Sequence, residues 1–150
     1  MSGAVGPGSI LFWEGFRFPN GAEADKLFVI VGAQTGRNYL AVITTSQQNG
    51  RNADPGGNPK GGYFHIRGDG KNWFNKDTWL LFEAPVELSA ADFLAATKDK
   101  TIIVKGNLRD DLTNRICNCM KKCDDVSEYH RTLLGPAIQP KPKTQAGPTQ

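Results

Sequence analysis

Cysteine is scarce in this 150-residue chain, and Cys117, Cys119 and Cys123 all fall within seven residues. Three thiols cannot pair completely and these close no large loop, so a disulfide scaffold is excluded. Long apolar runs are missing too. Leu27 to Val31 is a representative stretch, far short of the ~20 residues a membrane-crossing helix requires. Before the first charge, Glu14, there is neither a basic cluster nor an apolar segment of signal-peptide length, which predicts a cytoplasmic protein. No tetrahedral set of metal ligands can be assembled from three cysteines on one helix and two distant histidines, so neither metal nor cofactor is expected. Charge of one sign does not dominate: 18 Lys and Arg against 15 Asp and Glu leave +3, which neither demands nor excludes a nucleic-acid partner. With 39% hydrophobic and 22% charged residues, the chain lies clear of the disordered class and can pack a core.

The basic residues are unevenly spread. From 37 to 76 there are six, Arg37, Arg51, Lys60, Arg67, Lys71 and Lys76, against only Asp54 and Asp69. Residues 1–9 are Gly-rich and read as flexible, whereas Ile10 to Phe18 reads as a strand ending at Pro19-Asn20-Gly21. Leu27 to Val31 and Tyr39 to Thr45 read as a hairpin. Ser46 to Gly62 is a long polar loop with the character of a lid or groove wall. Tyr63 to Arg67 and Thr78 to Phe82 add strands, with a turn at Gly68 to Asn72 between them. Ser89 and Asp92 resemble a capping box for a helix through Ala96, and Thr101 to Val104 is a last strand. Asn107 can cap a helix whose apolar stripe is Leu108, Leu112, Ile116, Cys119, Met120 and Cys123, leaving half-buried thiols in the stripe. A short helical stretch at Tyr129 to Leu134 follows, and the Pro-rich residues 136–150 form a tail not expected to fold. These elements predict one α+β domain over 10–135, a small, strongly bent antiparallel sheet closed or half closed by C-terminal helices.

Gly8-Ser9-Ile10, Phe16-Arg17-Phe18-Pro19-Asn20-Gly21, Lys26 before Leu27 to Val31, and Leu40-Ala41-Val42-Ile43-Thr44-Thr45-Ser46 resemble, in order and spacing, the MazF/PemK family of toxin endoribonucleases. Asp77-Thr78-Trp79-Leu80-Leu81-Phe82, Leu88-Ser89 and Gly106-Asn107-Leu108 extend the resemblance over residues 8–135. It implies an SH3-like barrel, a homodimer, metal-independent cleavage of single-stranded RNA, and neutralisation by a cognate antitoxin. The family's catalytic Arg, which precedes a Pro, falls by position on Lys26 and its Thr on Thr44, while Glu23 matches a loop glutamate beside the site. Here Lys26-Leu27 replaces Arg-Pro. Lysine keeps the charge but lacks the planar fork that grips phosphate at two points. That departure supports a second reading, a non-catalytic RNA- or protein-binding module; a third is a gyrase-inhibiting toxin on the same barrel.

RNA cleavage without metal needs a proton acceptor for the 2′-hydroxyl, donors for the phosphorane and an acid for the 5′-oxygen. Lys26 supplies charge. Thr44 and Thr45 alternate faces, so one of them points into a groove, and position favours Thr44. Glu23 and His65 are the candidates for proton transfer. His65, on the strand face opposite Phe64 and Ile66, either meets the groove or is a surface histidine. Arg51, Lys60, Arg67 and Lys71 are candidates for the RNA backbone, and Trp73 for stacking on an unpaired base.

Overall fold

The computed structural model describes residues 5–136. The expected 136–150 tail lies outside it except for Pro136, as do the first four residues of the expected flexible N-terminus. The strands are β1 (Ser9–Arg17), β2 (Glu23–Gly32), β3 (Tyr39–Thr45), β4 (Gly56–Asn58), β5 (Tyr63–Ile66), β6 (Thr78–Leu88) and β7 (Ile102–Asn107). The helices are α1 (Ala90–Lys98), α2 (Asp110–Lys121) and α3 (Glu128–Leu133). The α+β class is as expected. All seven strands join one antiparallel sheet in the order β4-β5-β6-β3-β2-β1-β7. Because β4 and β7 do not pair with each other, the sheet is not closed into a barrel.

Both faces of the inner half of β2 are covered, which is why Phe28 to Val31 are continuously apolar rather than alternating. Val29 and Val31 pack with Leu112, Ile116 and Met120 of α2 and Leu133 of α3. Phe28 and Ile30 pack on the other side with Phe93 of α1, Leu11 and Ile102. Ser89 caps α1 by accepting the Asp92 N–H at 3.0 Å. Helix α3 is tethered to β6 through Glu87, whose carboxylate accepts bonds from Asn38 and Tyr129. Those bonds hold the Glu87 carboxyl below its usual pKa.

Several expectations need correction. Residues 5–9 are not free: Gly8 donates its N–H to Ile30 O (2.7 Å) and accepts that of Leu108 (2.8 Å), and Ser9 is buried in β1. Strand β6 runs through Pro85 because the register jumps from Leu81 opposite Ile43 to Val86 opposite Ala41. Pro85, with no N–H, thus sits where the ladder has no partner for it. Asn107 remains in β7 and accepts the Ser9 hydroxyl, so the residue before α2 is Arg109, which gives no side-chain cap. The thiols are buried, not half-buried, and Cys117 joins the core through the Val31 carbonyl (3.4 Å). Burial pushes its pKa up to about 11, which makes it an inert thiol.

The long 46–62 loop does not form a lid. It contains β4 and is tied onto the β5–β6 face, where the Tyr63 hydroxyl accepts the Asn52 N–H (2.8 Å) and Trp79 Nε1 donates to Asn52 O (3.1 Å).

Candidate functional site

Strands β2 and β3 pair only between Phe28–Gly32 and Leu40–Ile43. Before Phe28, β2 pairs with β1 alone, and after Ile43, β3 pairs with β6 alone. The two strands therefore part company, and a groove of about 540 Å³ opens between the two arms of the sheet. Asp25, Lys26 and Leu27 line one wall, Thr44, Thr45 and Ser46 the other, and residues 73–76 with Thr78 complete it.

This last segment belongs to the 67–77 loop, which joins β5 to β6 yet is braced on the far side of the fold. Arg109 Nε donates to Asn72 Oδ1 (3.0 Å), just ahead of α2. The Trp73 indole rests on Gly106 of β7 so closely that a Cβ there would meet the ring at 2.7–2.8 Å. Phe74 is buried in the core and meets Trp73 edge to face at 5.0 Å. Trp73 itself has φ +76°, a left-handed conformation that costs a bulky residue about 1–2 kcal/mol and is kept only where surrounding contacts impose it.

Four of the sequence-derived candidates, Lys26, Thr44, Thr45 and Trp73, meet in this groove. Lys26 is half-buried, opposite Trp13 across the β1–β2 ladder. Among the described residues neither it nor Lys76 has an ion-pair partner. Both threonines line the groove, contrary to the expectation that only one would. The Thr44 hydroxyl donates to Leu27 O at 2.9 Å, bridging the first position where β2 and β3 have separated. Its proton is thus committed to the backbone. The Thr45 hydroxyl accepts the Gln47 N–H (3.1 Å) and keeps its own proton to donate.

The other candidates lie elsewhere. Glu23 is exposed and paired with Arg17 at 2.5 Å across the outer end of β1 and β2, so the local cation takes its charge. His65 is on the face opposite Phe64 as expected, but the 46–62 loop covers that face. Its ring is 2% exposed as a residue, stacks on Trp79 at 4.5 Å and 9°, and reaches toward Asp77 (3.7 Å) with neither nitrogen hydrogen-bonded. It faces no groove. The Arg51 guanidinium turns back onto the carbonyls of Gln47 and Gln48. Lys60, Arg67 and Lys71 are exposed but do not line the groove.

The sequence reading missed Asp25 and Lys76. Asp25 supplies the one carboxylate among the described groove residues, and its Oδ1 accepts the Gly15 N–H at 2.9 Å, leaving Oδ2 free. It lies beside the β1 bulge between Trp13 and Phe16, where added twist upsets simple alternation of faces. Chemically the groove holds two cations, one acceptor carboxylate, several hydroxyls and an indole, the inventory for binding a phosphodiester and moving a proton at it. Comparison of the chain with protein-family models, curated proteins and solved structures finds no match.

Proposed function

We propose that the groove binds single-stranded RNA and cleaves it without a metal ion. More particularly, the chain is a divergent toxin endoribonuclease of the MazF/PemK kind, with its sheet an opened SH3-like barrel and a cognate antitoxin protein as its physiological inhibitor. The observation that carries this reading is the convergence of Lys26, Thr44 and Thr45 with Lys76, Asp25 and Trp73 from separate chain segments onto one groove. In the reaction, Asp25 takes the proton of the ribose 2′-hydroxyl, and the freed oxygen attacks the adjacent phosphorus. Lys26 and the Thr45 hydroxyl hold the charge that gathers on the phosphorane, and Thr44 keeps the two walls in register through Leu27. The bond to the 5′-oxygen breaks as Lys76 gives that oxygen a proton, leaving a 2′,3′-cyclic phosphate and a 5′-hydroxyl.

Incubation of pure protein with a long unstructured RNA in EDTA tests this directly. Fragments with cyclic phosphate ends are expected. Cleavage lost in EDTA and restored by a divalent ion would contradict the metal-free mechanism. Binding without any cleavage would favour the non-catalytic module, for which the committed Thr44 hydroxyl and the Lys26-Leu27 pair speak.

The same reading includes a homodimer. Among the described strands β7 pairs with β1 alone and is a sheet edge carrying exposed Ile103 and Val104, with exposed Leu94 of α1 nearby around a largely apolar groove. Uncovered apolar edges invite pairing with another chain. Sedimentation is expected to show twice the 16.4 kDa chain mass, and Val104→Lys to halve it. A wild-type species of single-chain mass at micromolar concentration would refute the dimer.

A further inference from the structure

We infer that Trp73 is a nucleobase platform held in position by Gly106, Asn72 and Arg109, so that the groove takes RNA only where a base is unpaired. This rests on the RNA reading above but adds a subsite to it, with residues that hold the platform without touching substrate.

Trp73 keeps 37% of its surface exposed while lining the groove. The Nε1–Cδ1 edge of its indole is occupied: Gly106 offers bare backbone there, and an added Cβ would come within 2.7–2.8 Å of that edge. Its left-handed backbone turns the side chain away from the path that Phe74 takes into the core, and the Arg109–Asn72 bond (3.0 Å) anchors the preceding residue. A buried tryptophan would need none of this. What results is an aromatic surface on the groove wall, three residues from Lys76 and across the groove from the arm that bears Lys26.

An unpaired base can lie on that surface while its flanking phosphates meet the two lysines, because stacking on an aromatic side chain needs only a free π-face. A duplex keeps its bases stacked on one another and offers the indole none. Gly106, Asn72 and Arg109 are positioning residues: they act on RNA only through Trp73.

A 2′-O-methyl oligoribonucleotide, which lacks the nucleophile and cannot be cut, is the probe. It is expected to quench the tryptophan emission of the wild-type chain, whereas the same strand in a duplex leaves it unchanged. Trp73→Phe should remove the quenching yet retain most of the affinity. Trp73→Ala should weaken binding about 5- to 150-fold, the equivalent of base–aromatic stacking. Gly106→Ala, which puts a methyl group where the ring lies, should reproduce the Trp73→Ala loss and add little to it in the double variant. If Gly106→Ala fails to fold, Arg109→Ala, which frees the loop without altering β7, should move affinity in the same direction.

Unchanged affinity in Trp73→Ala, or losses that add fully in the double variant, would overturn the inference even with RNA cleavage intact. Conversely, quenching and the Trp73 effect without any cleavage of long RNA would uphold the platform and refute the catalytic reading. Failure of the wild-type chain to bind the oligonucleotide would refute both.

Discussion

Lys26→Ala is expected to slow RNA cleavage about 100-fold or more while RNA affinity changes far less. Loss of one preorganised donor to a developing oxyanion removes ~2.7–4 kcal/mol of transition-state stabilisation. Lys26 suits that role because it is half-buried at the point where β2 leaves β3, and no described carboxylate has claimed it as an ion-pair partner. Lys26→Arg should retain or raise the rate, since a guanidinium restores two-point contact with phosphate. Single-turnover rates on a saturating oligoribonucleotide separate the chemical step from binding. A folded Lys26→Ala protein cutting at the wild-type rate would remove Lys26 from the chemistry and leave it a strand lysine of little consequence to stability.

Asp25→Asn is expected to cost about 10²- to 10⁴-fold in the same assay, the range for loss of a general base. The substitution is informative because Asn can still accept the Gly15 N–H that now binds Oδ1 at 2.9 Å, so the bulge stays supported while the proton acceptor disappears. Affinity for the uncleavable oligonucleotide should hold or rise slightly, since a negative charge has left the groove and a polyanion meets less repulsion there. Glu23→Gln, at the outer end of the same strand, serves as the comparison: its carboxylate is exposed and faces Arg17, so the rate should scarcely move. An Asp25→Asn enzyme with an intact rate would exclude the carboxylate as proton acceptor.

Local pattern carried the fold a long way. The apolar strands β1, β2 and β3, the Ser89 cap and the amphipathic α2 each announce themselves over a handful of neighbouring residues. Strand β4, Gly56–Asn58, could not, since Gly-Gly-Asn has turn chemistry and pairs only because β5 offers it an edge. The continuation of β6 through Pro85 depends on a register jump against β3 that no local signal encodes.

For the groove, the family resemblance pointed to Lys26 and Thr44, the neighbouring strand position to Thr45, and the polar turn among basic residues to Trp73. The hydroxyl geometry that distinguishes Thr44 from Thr45 depends on the Leu27 carbonyl, seventeen residues away in sequence. Asp25 was hidden by a bulge in its neighbour, and His65 was misplaced because alternation says which face a side chain takes but not what lies over that face. Lys76 had no signal of its own: it reaches the groove only because the 67–77 loop is braced on Gly106 and Arg109.

That brace sets an order of assembly. Lys26, Thr44 and Thr45 all belong to the first three strands, which can pair as soon as they leave the ribosome. The wall that faces them cannot settle until β7 and the start of α2 exist, because Asn72 finds its partner 37 residues further on. Contacts of long sequence separation form late, after the loop-closure cost has been met. During synthesis the groove is therefore completed only once Gly106 and Arg109 have emerged, and a nascent chain stopped before residue 106 carries Lys26 and the two threonine hydroxyls without the braced Trp73 wall opposite them.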